Sequence, residues 1–419
     1  MEKYLFNRRM KLLAAILAVF ASVFMKSPLS AQEDERSVLI YGTIETIDNT
    51  YKGYIRWGTE EVFWFDFFNA RKEKNDYYKD NIRKKEDKKT SWFDIDWNIA
   101  SIWEDKKPGV LHEFSCQFGD IRQFRVTGSN QAIVQLKNGV EVPVDGTGFN
   151  DMGTSVVIMD EEIGKVIVRW SKIDKITFSD GAASRGDIHG NYIYGTVNTY
   201  RKGSFSGFIQ WDVDERLTSD MLDGDNQDGD VSIAFGKIKK IEKYRNGSKV
   251  NLHSGREFYL TNSNDVNSEN RGILVIMDGI GEVKVPWSSF ESVEFKKPDK
   301  SIFTYNSFEA PKGLEGTVYL HDNETHSGKI IYDIDEVWEM ETLEGDDDDV
   351  KYRIPFRYIK KIEPKNYAYS MVTLRNDNKL LLGGGRDVSD DNDGLLVLKS
   401  GSKEADFIDW NKISEIVFK

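Results

Sequence analysis

The residues best equipped for chemistry in this chain are its carboxylates: 70 Asp and Glu stand against 57 Lys and Arg. In DGDNQDGD (223–230), Asp223, Asp225, Asp228 and Asp230 lie two or three residues apart with glycines between them. Oxygen ligands so spaced suit a hard cation, so a weak calcium site is one expectation for this loop. The Asp-x-Asp-x-Asp-Gly register of an EF-hand and its closing Glu are missing, and an acidic turn is the simpler reading. Glu61, Glu215 and Glu336 recur four residues beyond Trp57, Trp211 and Tyr332. Acid–base catalysis needs two carboxyls in unlike surroundings within one cleft, and threefold recurrence on solvated hairpins argues against that. Other catalytic signatures are absent. GSFSG (203–207) has Phe where a nucleophile elbow has Ser, and GGG (383–385) lacks the Lys-Ser/Thr of a phosphate loop. The five histidines lack zinc-ligand spacing. No cofactor is implied, calcium apart, and the chain reads as non-catalytic.

The elements that must position these residues repeat. Six eleven-residue pieces share one pattern: CQFGDIRQFRV from Cys116, VRWSKIDKITF from Val168, IAFGKIKKIEK from Ile233, VPWSSFESVEF from Val285, IPFRYIKKIEP from Ile354 and IDWNKISEIVF from Ile408. Position three is Trp or Phe, position six Ile or Phe, position nine Ile, Val or Phe. Alternation at positions one and three predicts a strand with one buried face, the three-residue spacing that follows predicts a 3₁₀ turn, and positions nine and eleven predict a second strand. Hairpins precede them. YGTIETIDNTYKGYIRW (41–57), YGTVNTYRKGSFSGFIQW (194–211) and EGTVYLHDNETHSGKIIY (315–332) form one set. VQLKNGVEVPV (from Val134), VNLHSGREFYL (from Val250) and VTLRNDNKLLL (from Val372) form the other.

Hairpin, strand, 3₁₀ turn and strand resemble the SH3-like and Sm-like small β-barrels. That resemblance implies an all-β fold of three tandem repeats of about 100 residues, each a pair of small barrels. It carries no functional residues. A six-bladed propeller or β-sandwich repeats would have a similar period. The expected boundaries are 38–178, 192–295 and 314–419, with a linker at 179–191 and another, aromatic one at 296–313.

Departures from the repeat are the candidate functional surfaces. Gly42 and Ile121 lie 79 residues apart, against 43 for Gly195 to Ile238 and for Gly316 to Ile359. The extra residues form a charged and aromatic insertion near 65–112. Its centre, RKEKNDYYKDNIRKKEDKK (71–89), includes Arg83, Lys84 and Lys85, and its flanks include Trp64, Trp92 and Trp97, aromatic residues suited to stacking on sugars. The corresponding stretches 211–230 and 332–349 are acidic. A basic arm meeting an acidic tip, within a chain or between chains, is therefore expected. The loops NDVNSENRGILV (264–275) and RDVSDDNDGLLV (386–397) offer Asp265, Asn267 and Asp387 as a polar ligand rim. Local Asx-turns are the simpler use of these side chains.

The opening MEKYLFNRRMKLLAAILAVFASVFMKSPLSAQ has a basic start, an apolar run too short to span a bilayer comfortably, and small residues at Ser30 and Ala31. It reads as a signal peptide, residues 1–31, of an exported protein, periplasmic or extracellular, with no membrane span after cleavage. The single cysteine, Cys116, leaves the fold to its apolar core without disulfides. Removal of residues 1–31 takes the formal charge from −13 to −17, which argues against nucleic acid. The expected partner is a protein or glycan of the cell envelope. A polymer hydrolase using acids in a cleft between repeats is the alternative.

Overall fold

The structure is a computed structural model and describes residues 38–58, 60–72, 112–181, 191–298, 303–399 and 405–419. Among them there is no α-helix. Ten-, eighteen- and two-stranded antiparallel sheets make up the fold. The strands of the first third are β1 (Tyr41–Thr46), β2 (Thr50–Trp57), β3 (Phe67–Lys72), β4 (His112–Gln117), β5 (Ile121–Gly128), β6 (Gln131–Leu136), β7 (Glu141–Asp145), β8 (Val156–Asp160), β9 (Gly164–Val168) and β10 (Ile173–Phe178).

The eleven-residue pieces fold as their spacing predicts. Five contain a 3₁₀ turn, at Phe118–Asp120, Trp170–Lys172, Phe235–Lys237, Phe356–Tyr358 and Trp410–Lys412. The sixth closes a turn in which the amides of Ser289 and Phe290 donate to the Pro286 carbonyl at 3.0 and 3.1 Å. The turn reverses the chain within three residues while the apolar positions stay on one side. Val168, Trp170, Ile173, Ile176 and Phe178 are accordingly all buried.

The pairing of these pieces differs from a simple succession of halves. The ten strands run in the order β4-β3-β7-β6-β5-β10-β1-β2-β8-β9. The spatial half β3 to β7 is contiguous in sequence. It is inserted between β2 and β8 of the other half, whose hairpin β1–β2 pairs with β10 and β8. Each half places a hairpin, a 3₁₀ turn and one strand beside a second hairpin, but one is a circular permutant of the other. The same pairings recur in 194–295 and 315–418, except that in 194–295 the hairpin Met221–Asn226 with Gly229–Ala234 stands as the two-stranded sheet, bridged to its neighbour only at Asp225 and Thr261. The first hairpin of each third therefore belongs with the second eleven-residue piece. The 3₁₀ turns join the edges of curled sheets, and among the described residues no ladder closes into a barrel.

Facing glycines allow the curl. Gly42 lies opposite Gly53, Gly195 opposite Gly207 and Gly316 opposite Gly328. A Cβ on Gly53 or Gly328 would stand 1.9 Å from a backbone oxygen of the neighbouring strand. Glycine within a strand marks such close backbone approach.

The charged insertion begins later than the sequence suggests. Val62, Phe63, Trp64, Phe65 and Phe68 are core residues, and β3 continues to Lys72 and pairs with β4. Residues 73–111 lie outside the described residues, and with them Arg83, Lys84, Lys85, Trp92 and Trp97; the segment 1–31 does so too.

Candidate functional site

One constellation occurs in all three thirds, and it contains the recurrent Glu. After each of Trp57, Trp211 and Tyr332 the chain makes a tight loop and returns. Amide and carbonyl are exchanged between Trp57 and Glu61, Trp211 and Glu215, and Tyr332 and Glu336, at 2.7–3.3 Å. The return requires left-handed backbone, at Gly58 (φ 58°), at Asp212 and Val213 (48° and 69°), and at Asp333 and Ile334 (47° and 56°). For Val and Ile such angles are strained. The strain is held by hydrogen bonding. Asp212 accepts the Arg271 amide and its guanidinium Nε (3.2 Å), and Asp333 accepts the Arg386 guanidinium at 2.6 Å. Glycine at 58 needs no such anchor, and the facing loop at 150–153 is correspondingly short.

The aromatic ring then pins that facing loop. Trp57 Nε1–H donates to the Asp151 carbonyl at 2.6 Å, Trp211 Nε1–H to that of Asp265 at 2.8 Å, and the Tyr332 hydroxyl to that of Asp387 at 2.5 Å. The carboxylates of the same three aspartates accept backbone amides: Asn69 at 2.6 Å, Asp223 at 2.7 Å and Glu344 at 2.6 Å. Asp265 and Asp387, expected on a ligand rim, thus tie the loop to the neighbouring hairpin. Asn267 is half-buried and accepts the Glu269 amide in an Asx-turn. Trp64 is fully buried beside Phe178 and Tyr305, so no face of its ring is open to a sugar.

Burial sets the electrostatics. It pushes Glu61 up to about 8, helped by Asp151, and Asp151 itself to about 6. Glu215 is raised to about 10 by burial and then by its hydrogen bond with Asp214, and Asp265 to about 6 by burial. Glu336 and Asp387 are both held well above the usual carboxylate range, by burial first. In each third burial therefore disfavours ionisation of the recurrent Glu.

In the last third the constellation opens into a cavity of about 240 Å³ at the junction with β4. Glu336, Asp387, Asp333 and Glu344 line it from one side and Glu113 and Ser115 from the other. At its margin Lys72, the last described residue at the base of the basic arm, pairs with Asp335 at 3.0 Å and with Glu341. The acidic tip of this third turns elsewhere. Lys202 pairs with Asp347 at 2.6 Å and with Asp348, while Asp349 accepts Ser288 and Ser289. The strand Gly281–Val285 pairs with Val350–Pro355 across the same junction.

The calcium candidates lie along a hairpin, Met221–Asn226 with Gly229–Ala234. Asp225 faces Asp230, Asp225 accepts Asn262 at 3.1 Å, and the Asp228 amide donates to Asn226 at 2.8 Å. Among the described residues no three His, Cys, Asp or Glu side chains converge as a metal site.

Sequence reasoning did not find the ion pairs between thirds. Arg216 meets Asp66 at 2.5 Å, both nearly buried, and Arg357 meets the buried Asp120 at 2.6 Å. Arg216 and Arg357 replace other residue types at their repeat positions, which was the available signal. No protein-family model, curated protein or solved structure matches the chain.

Proposed function

We propose that the chain is an exported, non-catalytic binding or assembly protein of three tandem repeats, each a pair of small SH3-like or Sm-like barrels, which presents loops to a protein or glycan of the cell envelope. The observation that carries this reading is the fate of the recurrent acids. Asp151, Asp265 and Asp387 are each bonded to a backbone amide and to a core aromatic. Each carboxylate takes the amide and each backbone carbonyl takes the aromatic donor, and acids so engaged hold loops in shape. The test is capture from the envelope fraction of the source cell by the full chain and by a chain lacking 73–111. A saturable partner lost with the deletion supports the reading, whereas capture of nothing above a control surface overturns it.

The cavity between β4 and Glu336 favours a second reading, a hydrolase with Glu336 as acid. Its lining has no aromatic platform for a sugar. Release of reducing ends from envelope glycan that is lost in Glu336→Gln would establish it.

A further inference from the structure

The linker between the second and third thirds shows what the surface beside a 3₁₀ turn can hold. Residues 303–311 lie against the first third. Tyr305 packs on Trp64 with ring centroids 4.6 Å apart, and its hydroxyl donates to the Ile121 carbonyl at 3.1 Å. Lys137 lies 3.5 Å from the centroid of the Tyr305 ring and donates to the carbonyls of Tyr305 and Phe308, the latter at 2.9 Å. Asn306 donates to Asp180. Phe308 sits so close to Gly119 that a Cβ there would stand 2.3 Å from its ring. This is a Tyr-x-x-Phe segment folded into a single 3₁₀ turn, Tyr305–Ser307 capped by Thr304, and held in a slot floored by Gly119.

The other two thirds have the same slot, and the pairing pattern fixes its equivalent residues. In the last third Arg357 replaces Gly119, and its guanidinium reaches Asp120 at 2.6 Å. In the middle third the glycine is kept as Gly236. Ile238 stands for Ile121, His253 for Lys137, Lys297 for Asp180, and Thr218 replaces the bulky Trp64. Gly119 is buried under Phe308, but Gly236 is exposed. A largely apolar cavity of about 220 Å³ lies there, lined by Phe235, Gly236, Ile238, Thr218 and His253. No described residue fills it as Tyr305 and Phe308 fill the first. Lys296 and Lys297 stand exposed at its rim.

We propose that this slot in the middle third binds an acidic peptide segment of a partner protein, of the pattern Tyr-(Glu/Asp)-x-Phe, in the single-turn shape that Tyr305–Phe308 adopts in the filled slot. Tyrosine enters over Ile238 in the space vacated by Trp64, phenylalanine lies on Gly236, and the acidic residue meets Lys297 where Asn306 meets Asp180 in the filled slot. Aromatic anchors in a preformed pocket supply affinity, and the charged rim supplies specificity and steering. The inference deepens the binding reading above and rests on it for the existence of a partner.

The test uses the full mature chain and three fluorescent peptides, Thr-Tyr-Glu-Ser-Phe-Glu, the linker's own Thr-Tyr-Asn-Ser-Phe-Glu, and Thr-Ala-Glu-Ser-Ala-Glu, followed by anisotropy. The first is expected to bind below about 1 mM, the second about two- to fivefold more weakly, and the third not at all. Gly236→Arg, which copies the residue of the last third, should weaken the first peptide by about tenfold or more while the chain stays folded by circular dichroism, although its Cβ would stand 3.1 Å from Thr218 and lower the thermal midpoint somewhat. Lys297→Glu should erase the preference for Glu over Asn. Binding untouched by Gly236→Arg, or equal for all three peptides, overturns the proposal, as does no binding by the parent chain. If peptides fail while envelope capture persists in Gly236→Arg, the slot is refuted and the binding reading stands.

Discussion

Replacing Tyr332 by Phe deletes one hydroxyl from the third constellation and little else. The ring is fully buried, and its hydroxyl donates to the Asp387 carbonyl at 2.5 Å. Phe keeps the ring packing against Phe356 and Trp410. A buried acceptor left without its donor costs about 1–3 kcal/mol. The Asp387 carbonyl retains a second donor, Asn392 Nδ2, at 3.3 Å, which places the loss near the lower end, about 1–2 kcal/mol. Urea unfolding should show a lower midpoint with an unchanged slope, because the surface exposed on unfolding is the same. Hydrogen exchange should quicken at the Glu344 amide, which the Asp387 carboxylate holds at 2.6 Å. Trp211→Phe should cost more, since it loses the equivalent bond and ring volume. A Tyr332→Phe midpoint within error of the parent, with Glu344 exchange unchanged, would refute the pin.

Three further outcomes follow from the same geometry. Glu61 has a folded pKa of about 8, above its ordinary value of 4.5, so its contribution is fully present below the lower value and is lost progressively as pH rises to the higher one; Glu61→Gln should flatten the fall in thermal midpoint across that interval. Arg216→Met leaves Asp66 buried without its cation and should destabilise by about 3–5 kcal/mol at neutral pH and above, as read by urea unfolding; the deficit should shrink as pH falls, because burial already favours the protonated Asp66 carboxyl. Gly328→Ala should abolish soluble expression, because its Cβ would meet the Leu398 carbonyl oxygen at 1.9 Å, whereas Gly139→Ala meets no atom within 4 Å and should cost only about 1–2 kcal/mol for its positive φ, measured by thermal unfolding.

Local structure was legible in the sequence to the residue. Trp or Phe, then Ile or Phe, then a third apolar residue at intervals of three can share one side only if a tight turn separates two strands, and the 3₁₀ turns fall on those positions. The partner of each strand was not legible. Both halves of a third end in the same piece, so local pattern cannot say which hairpin pairs with which, and long-range packing decides it. Trp64 reads as part of an exposed arm because its aromatic segment flanks a charged insertion. In the fold it backs the slot that holds Tyr305. The recurrent Glu was visible as a register, but its proton-holding surroundings depend on Asp151, Asp265 and Asp387, some 50 to 90 residues away. Arg271 and Arg386 stand at opposite ends of their loops, yet anchor equivalent aspartates, Asp212 and Asp333. No alignment of the repeats would pair them.

The interleaving of the two halves imposes an order on synthesis. As the chain leaves the ribosome, β1 and β2 emerge first but find no neighbours beyond each other. The contiguous half, β3 to β7, is complete by Asp145 and can condense by itself. Only when β8, β9 and β10 arrive, more than a hundred residues after Tyr41, does the waiting hairpin gain both its flanks. A chain stalled once Asp145 has cleared the ribosomal exit tunnel, with 156–178 still inside it, should therefore leave 41–57 open to protease while 112–145 is already guarded.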